Sequence, residues 1–323
     1  MTGSVSRHFG LSVRSDRLLP RSAAVPESSV DLEIVTSGSR PVDQDQLAWV
    51  NVLPSVWRAP AENGTWLRLR YADADDWVEF VIAPGGTTVW ISSSDVRWDE
   101  VCELLLGPVF SCVLEQRGVT CLHAAVLKID GAVAGFIGAK GAGKSTLSLA
   151  LLQHGAELVS DDVAALGDHD GRPTVAVGPP RLRLRQDSAG VLDGSFEALR
   201  PVWAQAENRP PKRYVETSPA LPEGPLPLDA LYFLAPRDGD EPSLRSVSPV
   251  EAVPRLMADR HMVHLIDRVG DRRDFPVLAR VAAQVRLREL RRPDALSALD
   301  RTIELVRADL AASTASGSYL PAP

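Results

Sequence analysis

The sequence predicts an α/β protein: a phosphate-loop (P-loop) domain of mixed strands and helices, preceded by a small β-rich N-terminal domain. Three observations carry this. An apolar run leads into Gly138-xxxx-Gly143-Lys144-Ser145, which continues at helical spacing. Residues 1 to about 94 fall into short, largely alternating runs separated by Gly and Pro. The 323 residues suffice for about two domains at roughly 100–200 residues each.

In chain order, residues 9–13 and 31–35 are strand candidates around a Pro/Ser-rich connection at 20–29. Residues 66–71, 77–82 and 87–91 follow as strands of an antiparallel sheet. Five of the seven Trp lie between 49 and 90 and read as the core of this sheet. Residues 95–117 have helical spacing through Trp98, Val101, Leu104, Leu105, Val109, Cys112 and Val113, with Pro108 expected to kink the helix and Gly118 to stop it. The helix reads as a bridge between a domain at 1–118 and a P-loop domain at 119–311. Residues 124–129 and 132–137 form a hairpin around Asp130-Gly131. A helix from the P-loop ends at Gly155, and a strand at 157–160 leads into Asp161-Asp162. Further strands are expected at 175–177, 181–185 and 228–234, and helices at 250–259, 276–285 and 295–311. Residues 205–226, rich in Pro and charge, read as a long mobile loop, and 312–323 as a disordered tail.

Composition excludes several classes. With 42 acidic against 35 basic residues the net charge is −7, the wrong sign for a generic nucleic-acid binder. No uncharged apolar stretch reaches 18 residues and the N-terminus lacks a signal pattern, so a soluble, cytoplasmic protein without membrane contact is expected. Cys102, Cys112 and Cys121 are odd in number and form no CxxC pair, which favours core thiols over disulfides or zinc. Lysines are scarce, four against 31 Arg, and three of the four are Lys140, Lys144 and Lys212. No Asn-Lys-x-Asp guanine-reading motif and no Leu-Ser-Gly-Gly stretch occurs.

The chemistry concentrates at Gly138-Ala139-Lys140-Gly141-Ala142-Gly143-Lys144-Ser145-Thr146. Glycines let successive N–H groups turn toward phosphate oxygens, and the following helix presents its positive end to the same anion. Lys144 reaches the β and γ phosphates, and the Ser145 hydroxyl is placed for Mg²⁺. Seventeen residues beyond Lys144, Asp161-Asp162 close a strand expected to return beside the P-loop strand. One carboxylate there can hold Mg²⁺ while the other takes a proton from an attacking hydroxyl. Arg181, Arg183 and Arg185 share one strand face, either a phosphate wall or a solvated surface. Lys212-Arg213 sit in the Pro-rich segment, where a lid could carry cations over ATP, with Arg213 as a nucleotide contact.

The run Leu122-His123-Ala124-Ala125-Val126, hairpin, P-loop, helix and Glu157-Leu158-Val159-Ser160-Asp161-Asp162-Val163 resembles the catalytic domain of HPr serine kinases. The P-loop with Ser145-Thr146-Leu147-Ser148 also resembles phosphoenolpyruvate carboxykinases, which share that fold. The specific match spans about 45 residues, 121–165. It implies that His123 is the active-site histidine, that Asp161 takes the seryl proton and that Asp162 is the metal-side acid beside Ser145. It further implies ATP and Mg²⁺ as cofactors, a peptide or protein carrying the acceptor serine as partner, and a homo-oligomeric assembly. The segment from Phe9-Gly10-Leu11-Ser12-Val13 to Leu18-Leu19-Pro20 looks like HPr-kinase-like proteins of peptide natural-product clusters, including lasso-peptide pathways, whose implied substrate is a precursor-peptide serine. A small-molecule phosphotransferase and a non-catalytic ATP-binding regulator would share the same loop. A carboxykinase-like metabolic enzyme is disfavoured, because its additional metal-binding Lys/His set is not found.

Overall fold

The computed structural model describes residues 4–19, 29–37, 47–73, 75–192, 194–202, 212–217, 221, 224–261 and 268–316. Among these the strands form four sheets in a mixed α/β arrangement. The first has eight strands, in the spatial order Ser4–His8, Leu11–Ser15, Leu32–Val35, Thr88–Ser93, Asp76–Ile82, Gly64–Asp73, Val56–Ala61, Val50–Leu53. Residues 9–13, expected as one strand, instead contain a hairpin turn at Phe9-Gly10, with His8 opposite Leu11. Both turn residues have positive φ (50° and 81°), the twist that lets two strands reverse in two residues. Asp130-Gly131 turns in the same way, as the sequence indicates.

The inward face of this sheet, including Leu69, Phe80 and Val89, packs on the helix spanning 98–116. That helix packs into the N-terminal core through Val101, Leu105, Val109, Phe110 and Val113, all buried there. Pro108 does not break it. The missing amide is absorbed by a wider π turn at Leu105–Val109, and Ser111 Oγ donates to the Gly107 carbonyl at 3.0 Å. All three cysteines are buried and free, and burial pushes the Cys102 and Cys112 thiols up to about 12.

The central sheet runs Glu157–Ser160, Ala124–Ile129, Ala132–Ile137, Ala230–Leu234, Arg286–Arg291, Ser243–Ser246. The strands from Ala132, Ala230 and Arg286 are mutually parallel. One face packs on the helix Lys144–Gln153 and the helix Leu299–Ser316, the other on Pro249–Ala258 and Arg268–Gln284. Three expectations change. Residues 312–316 are helical, while 317–323 lie outside the described residues. Strand Arg286–Arg291 was not foreseen. Lys212–Glu216, placed by composition in a mobile loop, is a strand paired with Arg181–Arg185; 205–211 and 218–220 lie outside the described residues. No described helix is long and apolar enough to cross a membrane.

Candidate active site

Strand direction gathers the site at one edge of the central sheet. In the hairpin, Ala124 lies opposite Ile137, so the start of one strand and the end of the next share that edge. Glu157–Ser160 is antiparallel to Ala124–Ile129, with Ser160 opposite Val126. It does not lie beside the P-loop strand, as the sequence suggested; Ala124–Ile129 intervenes. Two antiparallel steps restore its direction, so its carboxyl end still arrives at the same edge. His123, Gly138 and Asp161-Asp162 are therefore neighbours by topology. The parallel strands ending at Leu234 and Arg291 bring Arg237 and Arg292 to the same edge.

Gly138 allows a close approach: a Cβ there would lie 3.1 Å from those of Ala142 and Leu234. Ala139, Lys140 and Gly141 form the exposed crest of the loop. Gly143, at φ 85°, caps the helix Lys144–Gln153, which has neither a side-chain cap nor an acid in its first turn. Its first amides are thus available to an anion. Lys144 is buried and its Nζ donates to the Gly138 carbonyl at 2.5 Å. Burial lowers its pKa against the opposing pull of Asp162, Asp259 and Asp161. Ser145, half-buried, follows it. The Thr146 hydroxyl is shared with Ser188 Oγ at 2.6 Å, which leaves its backbone for the loop.

Asp161 is buried, and its Oδ2 accepts the Arg183 amide at 2.9 Å. Burial, then the neighbouring Asp162 charge, pushes its pKa up to about 7. Asp162 sits in the left-handed region at φ 66° and accepts from Arg183 Nη1 at 3.2 Å. Burial works against its charge, but Arg183, His123, Lys212 and His261 outweigh it and hold the carboxyl below the usual range. The pair is thus split into one strongly ionised and one readily protonated carboxylate.

His123 lies beside Asp162. Burial and Lys144 lower its pKa, opposed by the Asp162 charge and a hydrogen bond to the Asp162 backbone. Its amide donates to the Asp259 carbonyl at 2.8 Å, and the His261 amide donates to the Cys121 carbonyl at 2.8 Å. This clasp sets the two imidazoles 5.7 Å apart, centroid to centroid. Sequence reasoning missed Asp259 and His261, which lie far along the chain in no motif. Between them Arg260 is buried on Asp274 (3.0 Å) and Asp271 (2.7 Å).

On the three-arginine face, Arg181 and Arg183 are drawn into an ion-pair cluster rather than left in solvent. Arg181 meets Glu103 at 2.5 Å, and Arg183 lies 4.0 Å from Glu103, so a buried acid on the 98–116 helix meets the site's cations. Burial lifts Glu103 to about 7 despite Arg181. Lys212 and Arg213 diverge. Lys212 feels Asp162, Asp161 and Lys140, though burial lowers its pKa overall. Arg213 donates to the Leu199 carbonyl at 2.8 Å and covers the Phe196 ring at 5.6 Å, away from the acids. Expected as a nucleotide contact, Arg213 is not brought to the site; successive residues of a strand face opposite ways.

The donor set fits a nucleotide with Mg²⁺. An uncapped helix start, a glycine loop and a buried lysine suit a polyphosphate. Among the described residues no group of three or more His, Cys, Asp or Glu could hold a metal ion, whereas Mg²⁺ is commonly held by one or two side chains plus phosphates.

No protein-family model matches the sequence, and no curated protein matches it significantly. Among solved structures, the Hpr(Ser) kinase/phosphatase from Coxiella burnetii is similar over 60% of this chain and 98% of that one, at 15% identity and a TM-score of 0.31. A likeness of that size decides nothing about activity.

Proposed function

We propose that the chain is an ATP- and Mg²⁺-dependent phosphotransferase that moves the γ-phosphoryl group to a serine hydroxyl of a peptide or protein. The observation that supports this best is the convergence of Lys144, the uncapped helix amides and the split Asp161/Asp162 pair at one sheet edge. The serine acceptor follows from the sequence resemblance over 121–165. A precursor peptide is the acceptor class suggested by the 9–20 segment.

In this reading the P-loop amides and Lys144 hold the β and γ phosphates and neutralise charge as it shifts toward the leaving oxygen. Ser145 and Asp162 would hold Mg²⁺, which when bound would neutralise phosphate charge. Asp161 receives the serine proton as the serine oxygen bonds to γ-phosphorus and the bond to the β-phosphate oxygen breaks, giving phosphoserine and ADP. Asp161 suits the task because a general base works best with a pKa near the operating pH. His123 borders Asp162 and Lys144 and hydrogen-bonds the Asp162 backbone.

The test is intact-mass analysis of a serine-containing precursor peptide incubated with the protein, ATP and Mg²⁺. Gain of one phosphoryl group, absent with Lys144→Ala or with an alanine acceptor, is expected. ADP release without any phosphorylated peptide, but with a phosphorylated small metabolite, would replace the peptide acceptor. No ADP release with any acceptor would leave a non-catalytic nucleotide binder.

A further inference from the structure

Behind the P-loop lies a cation that the phosphoryl-transfer scheme does not use. Arg292 follows the strand Arg286–Arg291 and is 3% exposed. Its Nη2 donates to the Ala142 carbonyl. A Cβ on Gly143 would lie 2.8 Å from that nitrogen, so the guanidinium packs closely against the bare glycine. Its Nη1 is buried with no hydrogen-bond partner, and Arg292 makes no ion pair among the described residues. The nearby Asp294 is committed to Arg237 at 2.7 Å, and Arg237 itself reaches the Gly141 carbonyl at 3.4 Å. Burial, then Arg237, lowers the Arg292 pKa to about 10.

A buried guanidinium without a carboxylate is costly, and a half-used one is costlier still. Its position gives that cost a use. In a planar trans peptide the C=O and N–H point opposite ways. Holding the Ala142 carbonyl therefore turns the Gly143 amide away from Arg292, which in a phosphate cradle is the anion side.

We propose that Arg292 is a positioning residue for a polyphosphate at the P-loop: it fixes the Ala142–Gly143 peptide, and its uncompensated charge is offset when the anion arrives. This rests on the P-loop being a nucleotide site. The free protein then carries a penalty that the bound protein does not, so Arg292 trades unliganded stability for affinity. A residue with a merely structural role would lower both together when removed.

The test compares wild type, Arg292→Gln, Arg292→Lys and Lys144→Ala as full chains, by calorimetric binding of ATP and ADP without Mg²⁺ and by thermal unfolding. Arg292→Gln should bind ATP about ten- to a hundredfold more weakly. Its unliganded midpoint should equal or exceed that of wild type, and Arg292→Lys should recover part of the affinity. Wild-type affinity in Arg292→Gln, or joint loss of affinity and unliganded stability, would overturn the proposal. So would failure of that variant to fold, because the free protein must tolerate losing the charge. If Lys144→Ala also binds ATP normally, the nucleotide site itself is refuted; if Lys144→Ala loses binding while Arg292→Gln does not, only the role of Arg292 fails.

Discussion

Replacing Asp274 by Ala should unfasten the clasp that carries Asp259 and His261 to the site. Asp274 is fully buried on the helix Arg268–Gln284. It accepts from Thr120 Oγ1 at 2.8 Å, Arg260 Nη1 at 3.0 Å and Arg273 Nε at 2.9 Å. Removing one partner of a buried ion pair costs about 3–5 kcal/mol, because the other charge stays buried. Both arginines keep a second acid: Arg260 has Asp271 at 2.7 Å and Arg273 has Glu115 at 2.6 Å. That places the expected loss near the lower end, about 3 kcal/mol, with Thr120 left without its acceptor. Urea unfolding would read it as a lower midpoint at unchanged slope. Asp274→Asn, which keeps an acceptor but no charge, should fall between Asp274→Ala and wild type. A loss below about 1 kcal/mol in Asp274→Ala would refute the reasoning, since the arginines would then not depend on this carboxylate.

Three further outcomes are expected. His8 is buried, and burial, then Arg181, lowers its pKa from 6.5 to about 4, so the folded state binds fewer protons than the unfolded. Stability is whole above the unfolded pKa near 6.5 and falls as pH drops toward 4, by about 3 kcal/mol; His8→Leu should lose that much less between pH 7.5 and 4, and parallel urea curves would contradict it. Lys212→Ala should slow phosphoryl transfer about tenfold or more while Arg213→Ala leaves it near wild type, and equal effects in turnover assays would contradict the face assignment. Gly143→Ala should lower the thermal midpoint and ATP affinity more than Gly155→Ala lowers either, since both have φ near 85° but only Gly143 would meet a side chain, Arg292.

The P-loop is legible because its chemistry lies in consecutive residues between a strand and a helix. Asp161-Asp162 is legible because one helix and one short strand separate it from Lys144, although the strand's place in the sheet was not. The rest depends on pairings that sequence does not encode locally. Asp259 and His261 are brought to the site by backbone bonds to His123 and Cys121, 136 to 140 positions away in the numbering. Arg181 and Arg183 left a phosphate wall and a solvated face both open until Glu103, on another element, supplied a buried acid. Lys212 and Arg213 are adjacent, and only the register with Arg185 and Leu184 decides which faces the acids. Strand Arg286–Arg291 was hidden by its four charged residues and by the helix running directly into it. Pro108 marked an irregularity in the helix, but local rules do not say that it takes the form of a π turn.

The central claim, that Asp161 takes the proton at a site where the P-loop holds ATP, is tested most directly by measuring ATP affinity and ADP release side by side in wild type and Asp161→Asn. Asp161→Asn should bind ATP within about twofold of wild type while acceptor-dependent ADP release falls by about a hundredfold or more. Wild-type ADP release by Asp161→Asn would contradict the account.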